Sequence, residues 1–344
     1  MRIEDCLPSS LTRILDFPEA GCQVEELSRD RWAQGDYVAA EVTDPGGSGL
    51  LELPTGRIVE LVRGDTVVGA LGVRHATLEA TGTWEEVRRD GAMELLTAGG
   101  LLGRCTSRST LIPELARLVY RGHLVREGEK LTMEGCVDRS GPVVPFSHPT
   151  ILIVGSSMSA GKTTAARILI RRLRALGLRA LGAKVTGAGR YRDILAMGDA
   201  GASPILDFVD VGLPSTVCPE EEFRAALELL MSRMARADVD VAVVESGASP
   251  LEPYNGTLAV DAFRPAVRMT VLCASDPYSV LGMKEAFGLD PDLVTGPASN
   301  TAAGVELVRR FVDAPCLDVR DPKTAPELDA LLRDHLGTRV PVGG

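Results

Sequence analysis

Apolar and polar residues alternate over short spans in the first part of the chain and gather into longer apolar runs in the second. Stretches 37–42, 49–53, 57–62 and 66–71 read as short strands, set apart by Pro45, Gly46, Gly47, Pro54, Gly56 and Gly64, residues that favour turns. This rhythm predicts a small sheet or barrel. Helical spacing is read over 83–99 and 111–120, followed by a strand pair within 123–137. The segment Gly141-Pro-Val-Val-Pro145 closes this β-rich part. It predicts a domain of residues 1–148 and a second one of residues 149–344.

From Thr150 the pattern changes. Apolar runs at 151–154, 179–184, 239–244, 269–274 and 293–295 alternate with amphipathic helices, as in a parallel sheet covered on both faces. Ala165, Ile168, Leu169 and Leu173 make one helical stripe, and Phe223, Ala226, Leu227 and Leu230 make another at helical spacing.

The first of these runs leads into Ile151-Leu-Ile-Val-Gly155-Ser-Ser-Met-Ser-Ala-Gly161-Lys162-Thr163-Thr164. A buried strand, a loop of small residues and a helix start are the setting a phosphate-binding loop requires. Backbone N–H groups of Gly155, Ser156, Ser157, Met158, Ser159, Ala160 and Gly161 are expected to wrap an anion at the positive end of the helix. Lys162 would reach the terminal phosphates, Thr163 would give its hydroxyl to magnesium, and Thr164 would continue the cradle. The usual Gly-x-x-x-x-Gly-Lys-[Ser/Thr] spacing puts its first glycine at 156, where this chain has Ser156 preceded by Gly155. The predicted fold is therefore α/β, a P-loop NTPase-type parallel sheet flanked by helices, preceded by a smaller β-rich α+β domain.

Charge and composition narrow the partners. The 344 residues carry a net charge of −10, which argues against a broad basic surface for nucleic acid. Arg167, Arg171, Arg172, Arg174 and Arg179 flank one helix, but only 4% of the chain is aromatic and no aromatic residue interleaves there, so a solvated face is expected. Seven scattered cysteines without a C-x-x-C pair suggest reduced thiols and no zinc clip. The four histidines form no H-x-x-x-H or H-x-x-E pair, which speaks against a transition-metal site. The opening segment shows no signal pattern and no run of 18 apolar residues occurs, so the expected setting is cytoplasmic, away from membranes.

The five residues between Gly155 and Gly161 resemble the loop of dethiobiotin synthetase and the related cobyrinic acid a,c-diamide synthases. Ala183-Lys184-Val185-Thr186-Gly187 resembles that family's Lys-Pro-Val segment, with Val185 in place of the proline. Arg190-Tyr-Arg-Asp193-Ile-Leu-Ala-Met197 resembles a segment whose aspartate helps hold magnesium. Val241-Ala-Val-Val-Glu245-Ser-Gly247 is similar to the strand ending in Glu-Gly-Ala-Gly, whose acid serves the metal, with Ser246 departing from the glycine. Val294-Thr-Gly296-Pro-Ala-Ser-Asn300 resembles a later turn whose asparagine reads the adenine edge. The resemblance covers residues 150 to 320 and leaves the first 148 unexplained. The stretch from Thr186-Gly187 to Asp207-Phe208 also resembles a P-loop family linked to D-amino-acid metabolism.

The residues alone support part of this. Glu245 and Lys184 end apolar strands, where ligands bind in open α/β sheets. Asp193 is read equally as a metal ligand or a helix cap, and Asn300 as a base reader or a cap.

The resemblance implies an ATP- and magnesium-dependent ligase or small-molecule kinase, with GTP as an alternative nucleotide. It would move the γ-phosphoryl group to a small-molecule carboxylate or carbamate for attack by an amine. Lys162 and Lys184 would be catalytic, Thr163, Asp193 and Glu245 would serve magnesium, and Asn300 the base. A homodimer is implied by the same likeness. The alternatives are a nucleotide-hydrolysing switch or metallochaperone, and an acyltransferase whose loop holds coenzyme A.

Overall fold

The computed structural model describes residues 3–15 and 22–337, so Met1 and Arg2 of the opening segment lie outside the described residues. The chain divides into two compact units. One comprises Met1–Gly141, Gly187–Arg192 and Phe208–Leu227, and the other Pro142–Thr186, Asp193–Asp207 and Glu228–Gly344.

The first unit is a small barrel. Strand Thr66–Leu71 pairs antiparallel with Tyr37–Asp44, which pairs with Arg117–Arg126, which in turn pairs with Ala92–Thr97. Leu101–Arg108 follows on Ala92–Thr97 and then pairs parallel with Thr66–Leu71, Leu101 opposite Ala70. That last pairing closes the ring and removes two free edges. Val38, Ala40, Val42, Val67, Leu71, Met93, Leu95, Leu102 and Leu118 belong to one core cluster, drawn from alternate positions of the strands as a period of two requires.

Two expectations for this unit are corrected. The helix read over 83–99 is a 3-10 turn Trp84–Glu86 followed by the strand Ala92–Thr97. Met93, Leu95 and Leu96 are buried there, a spacing that a helix and a strand both satisfy over so short a span. The helix read over 111–120 is instead the start of Arg117–Arg126. Pro113 sits where a helix interior would need an N–H, and Leu118, Val119 and Tyr120 suit a pleated strand. The strand pair expected within 123–137 is this same strand turning back into Glu129–Lys130. Its turn residues Glu127 and Gly128 have φ of 52° and 82°, the left-handed pair that tight hairpins favour.

The second unit is built on six parallel strands: β1 (Thr150–Gly155), β2 (Ala180–Thr186), β3 (Ile205–Asp207), β4 (Val241–Ser246), β5 (Val267–Cys273) and β6 (Leu293–Thr295). Their order is β3-β2-β4-β1-β5-β6. Every residue of β1, β2 and β4 is buried, which accounts for the unbroken apolar runs in the sequence. Strand β3 was absent from the expected set; between Pro204 and Asp207 only Ile205 and Leu206 are apolar. The helices are α1 (Lys162–Ala175), α2 (Tyr191–Asp199), α3 (Glu220–Ala235), α4 (Gly256–Phe263), α5 (Pro277–Phe287), α6 (Ala302–Val308) and α7 (Ala325–Leu336). Helix α1 buries Ala165, Leu169 and Leu173 of the predicted stripe, together with Ala166 and Ile170, while Ile168 is only half-buried.

Two of the arginines flanking α1 have acidic partners. Arg172 pairs with Asp329, and Arg179 with Asp238 and Asp240. No disulfide joins any of the seven cysteines. Among the described residues, no helix is long and apolar enough to cross a membrane. The chain thus joins a β-rich barrel to a P-loop NTPase-type α/β sheet flanked by helices.

Candidate functional site

Strand β1 ends at Gly155 in the middle of its sheet, between β4 and β5. The chain leaves it still anchored, because the backbone N–H of Ser156 donates to the carbonyl of Cys273 at 3.0 Å. It then loops through residues 156–160 and enters α1 after Gly161, whose φ of 94° is left-handed. A glycine adopts that conformation at no steric cost. No side chain caps the helix there, so its first N–H groups are available to an anion.

Lys162 opens α1 and is buried, with its Nζ donating to the Ser157 carbonyl at 2.6 Å. A Cβ on Gly155 would lie 2.7 Å from both Cδ and Nζ of Lys162. The glycine therefore stands at 155 because the lysine side chain occupies the space above it. Gly155→Ala should leave the melting temperature near that of the parent, since only a flexible side-chain end has to move. Triphosphate affinity should fall roughly 10- to 100-fold, the worth of a charge-assisted hydrogen bond. Calorimetric titration checks this, and unchanged affinity would remove Gly155 from the site.

The remaining charged residues come from neighbouring strand ends. Register places Lys184 of β2 opposite Glu245 of β4 on one side and Asp207 of β3 on the other. Lys184 Nζ forms an ion pair with Asp193 in the first turn of α2. Thr163 Oγ1 donates to Glu245, at 3.2 Å from Oε2 and 3.4 Å from Oε1. Just past Lys184 the ladder shifts register, so that Thr186 rather than Val185 opposes Ser246. Thr186 Oγ1 donates to the Gly247 carbonyl at 2.9 Å, holding the two strand ends together beyond the bulge.

Burial and charge pull these groups in different directions. Burial lowers the pKa of Lys162, with Glu245 opposing. Burial also works against the charge of Lys184, but Asp193 and Glu245 more than offset it and hold this lysine above its ordinary value. Burial raises the Glu245 carboxyl, and Lys184 and Lys162 pull it back. Burial pushes the Cys273 thiol up to about 12, Lys162 notwithstanding, which makes it a poor nucleophile.

Magnesium fits this donor set. Among the described residues no group of three or more His, Cys, Asp or Glu side chains can hold a metal, so an all-protein cage is absent there. A hydroxyl and a carboxylate, Thr163 and Glu245, suit an ion that keeps waters and takes phosphate oxygens. Ser157 Oγ is buried in the same loop without a hydrogen-bond partner, an exception among buried polar atoms. Asp193 is engaged by Lys184.

Asn300 stands apart from the lysines, exposed after β6. Thr301 caps α6, accepting from the Gly304 N–H, so capping falls to the neighbouring residue. The amide oxygen of Asn300 accepts from Arg320 Nη2 at 2.7 Å. Arg320 and Asp318 line a cavity of about 160 Å³ together with Gly161, Thr164, Gly296 and Pro297. Sequence reading did not single out Asp318 or Arg320, because an Asp-x-Arg in a loop looks like any solvated charge pair. It also missed Glu252, a buried acid that accepts from the Ser249 N–H at 2.6 Å and favours the charged form of Lys162.

No protein-family model matches the chain. No curated protein matches it either. Among solved structures, it is similar to HypB from Helicobacter pylori in complex with nickel, with 14% identity, a TM-score of 0.37, and coverage of 58% of this chain and 92% of that one. It is similar to a DUF1611 family protein from Anabaena variabilis, with 16% identity, a TM-score of 0.39, and coverage of 57% and 62%. It is also similar to the signal recognition particle 54 kDa protein from Aeropyrum pernix in complex with GDP, with 19% identity, a TM-score of 0.35, and coverage of 59% and 53%. The chain thus spans less than two thirds of the last two proteins.

Proposed function

We propose that this protein is a magnesium-dependent enzyme that binds a nucleoside triphosphate at residues 155–164 and transfers its γ-phosphoryl group to a small carboxylate or carbamate. The observation that carries this reading is the second buried lysine. Lys162 suffices for the β- and γ-phosphates of a bound nucleotide, whereas Lys184 adds a further cation held between Asp193 and Glu245. A nucleotide-hydrolysing switch has no need of it; an enzyme that brings a second anion to the γ-phosphate does.

The chemistry asks little more of the protein. A carboxylate or carbamate oxygen is already charged at neutral pH, so it attacks phosphorus without a general base while the bond to the β-phosphate oxygen breaks. Lys162 and Lys184 then offset charge spread over the transferring oxygens, worth several kcal/mol in a dry cleft. Thr163 and Glu245 would hold magnesium, which when bound neutralises phosphate oxygens. The acyl or carbamoyl phosphate so formed is activated for an amine, in line with the synthetase resemblance.

Phosphate release should therefore depend on the acceptor. Release from a triphosphate, followed against a panel of amino and dicarboxylic acids, should rise at least about tenfold with the right acid. Release indifferent to every acid would favour a switch, and binding of coenzyme A in place of a triphosphate would favour acyl transfer.

A further inference from the structure

We infer that Glu52 of the first unit is a positioning residue for Lys184, acting through the first turn of α2 and through Asp193. Its meaning for catalysis rests on the reading that Lys184 brings the acceptor to the γ-phosphate. Lys184 and Asp193 both belong to the second unit, yet residues Gly187–Arg192 between them belong to the first. The chain thus leaves β2 at Thr186, is fixed by contacts of the first unit, and only then returns with Asp193.

That connection is tied down step by step. The Gly187 N–H donates to Thr216 Oγ1 at 3.0 Å, and the Thr216 N–H donates to the Gly187 carbonyl at 2.9 Å. The Gly189 N–H donates to the Pro214 carbonyl at 2.9 Å, and Thr97 Oγ1 donates to the Gly189 carbonyl at 3.1 Å. A Cβ on Gly99 would lie 2.4 Å from that same carbonyl oxygen, so the absence of a side chain at 99 is what lets the two backbones meet.

Glu52 completes the connection where α2 begins. It is fully buried. Its Oε2 accepts from the Tyr191 N–H at 2.6 Å and from Ser10 Oγ at 2.6 Å, and its Oε1 accepts from the Arg192 N–H at 2.7 Å. The first N–H groups of a helix have no partner within it, and a carboxylate suits the positive end of the helix. A cap from a neighbouring residue travels with its helix, whereas this one comes from 139 residues away and so fixes where the first turn stands. Asp193 lies in that turn and is the acid paired with Lys184. Moving the turn therefore moves Asp193 off the lysine. Glutamine at 52 would offer one acceptor and one donor in place of two acceptors, setting its NH₂ against a donor and loosening the turn.

The test is acetylation of the full chain by acetic anhydride, followed lysine by lysine by peptide mass spectrometry, in the parent, Glu52→Gln, Asp193→Asn and the double variant. Lys184 should react roughly tenfold faster in Glu52→Gln, the factor one charge-assisted hydrogen bond is worth, because the turn opens locally. Lys162 should keep the parent's rate, which shows that the phosphate loop is folded. Asp193→Asn should raise the Lys184 rate at least as much, and the double variant should add nothing to it, as residues acting in series require. An unchanged Lys184 in Glu52→Gln, or two increases that multiply, would overturn the role of Glu52. Should both lysines of Glu52→Gln react faster together, Ser10→Ala, which removes a single hydrogen bond from Glu52, decides: a smaller rise at Lys184 alone is expected, and no rise overturns the inference. In the acid panel, Glu52→Gln should raise the acceptor KM about tenfold while affinity for ATP or GTP with magnesium stays within about threefold; equal losses in both would mark a merely structural role. Phosphate release by the parent that is indifferent to every acid would sink the transfer reading and leave acetylation to decide on Glu52.

Discussion

Replacing Lys162 by alanine is expected to lower phosphoryl transfer by about 10²- to 10³-fold, the usual cost of removing one preorganised charge from a transition state. The size of the effect follows from where the lysine sits. Its side chain is buried over Gly155, with Nζ held at the Ser157 carbonyl inside the loop, so no water or mobile cation takes its place without rearrangement. The fold should tolerate the change, because burial already works against the charged form and removing a cation from such a place relieves that cost. The check is phosphate release and triphosphate affinity measured on one preparation, beside its thermal unfolding curve. A rate within about threefold of the parent would end the proposed mechanism.

Glu245 should show the second large effect, and on two scales at once. Glu245→Gln keeps the shape but removes the charge that faces Thr163, Lys162 and Lys184, and magnesium-dependent turnover should fall at least about 100-fold. Glu245→Ala should in addition leave the Thr163 hydroxyl without the carboxylate it donates to, and so destabilise the protein by about 1 kcal/mol. The urea midpoint of the alanine variant reads the second effect and a magnesium titration of the glutamine variant reads the first. Turnover by Glu245→Gln with the parent's magnesium dependence would remove this carboxylate from the metal site.

The two units were unequally legible in the sequence. Residues 151–164 could be read directly because strand, loop and helix start are contiguous, and each leaves a local mark: a four-residue apolar run, small residues, and Gly-Lys-Thr. Lys184 and Glu245 could be singled out for a related reason, as charged residues ending apolar runs, although only the register of β2 on β4 brings them together. The barrel was misread where pairing is non-local. Nothing in 92–97 distinguishes a strand from a helix until its neighbours 101–108 and 117–126 are in place. Asp318 and Arg320 were invisible for the same reason, since their place beside Gly161 and Thr164 comes from the sheet order and not from any motif around them.

The order of the parallel sheet has a consequence for how the molecule is made. Strand β1 carries the phosphate loop, yet both its neighbours, β4 and β5, lie about 90 to 120 residues further along the chain. During synthesis the Gly155 turn therefore emerges long before anything can pair with the strand behind it. Contacts of such long range are slow to form, so a ribosome-bound chain halted before residue 241 would display an apolar, unpaired β1 and no working cradle. A nucleotide could reward folding only after the last strands arrive, which makes ligand capture a report on the finished protein.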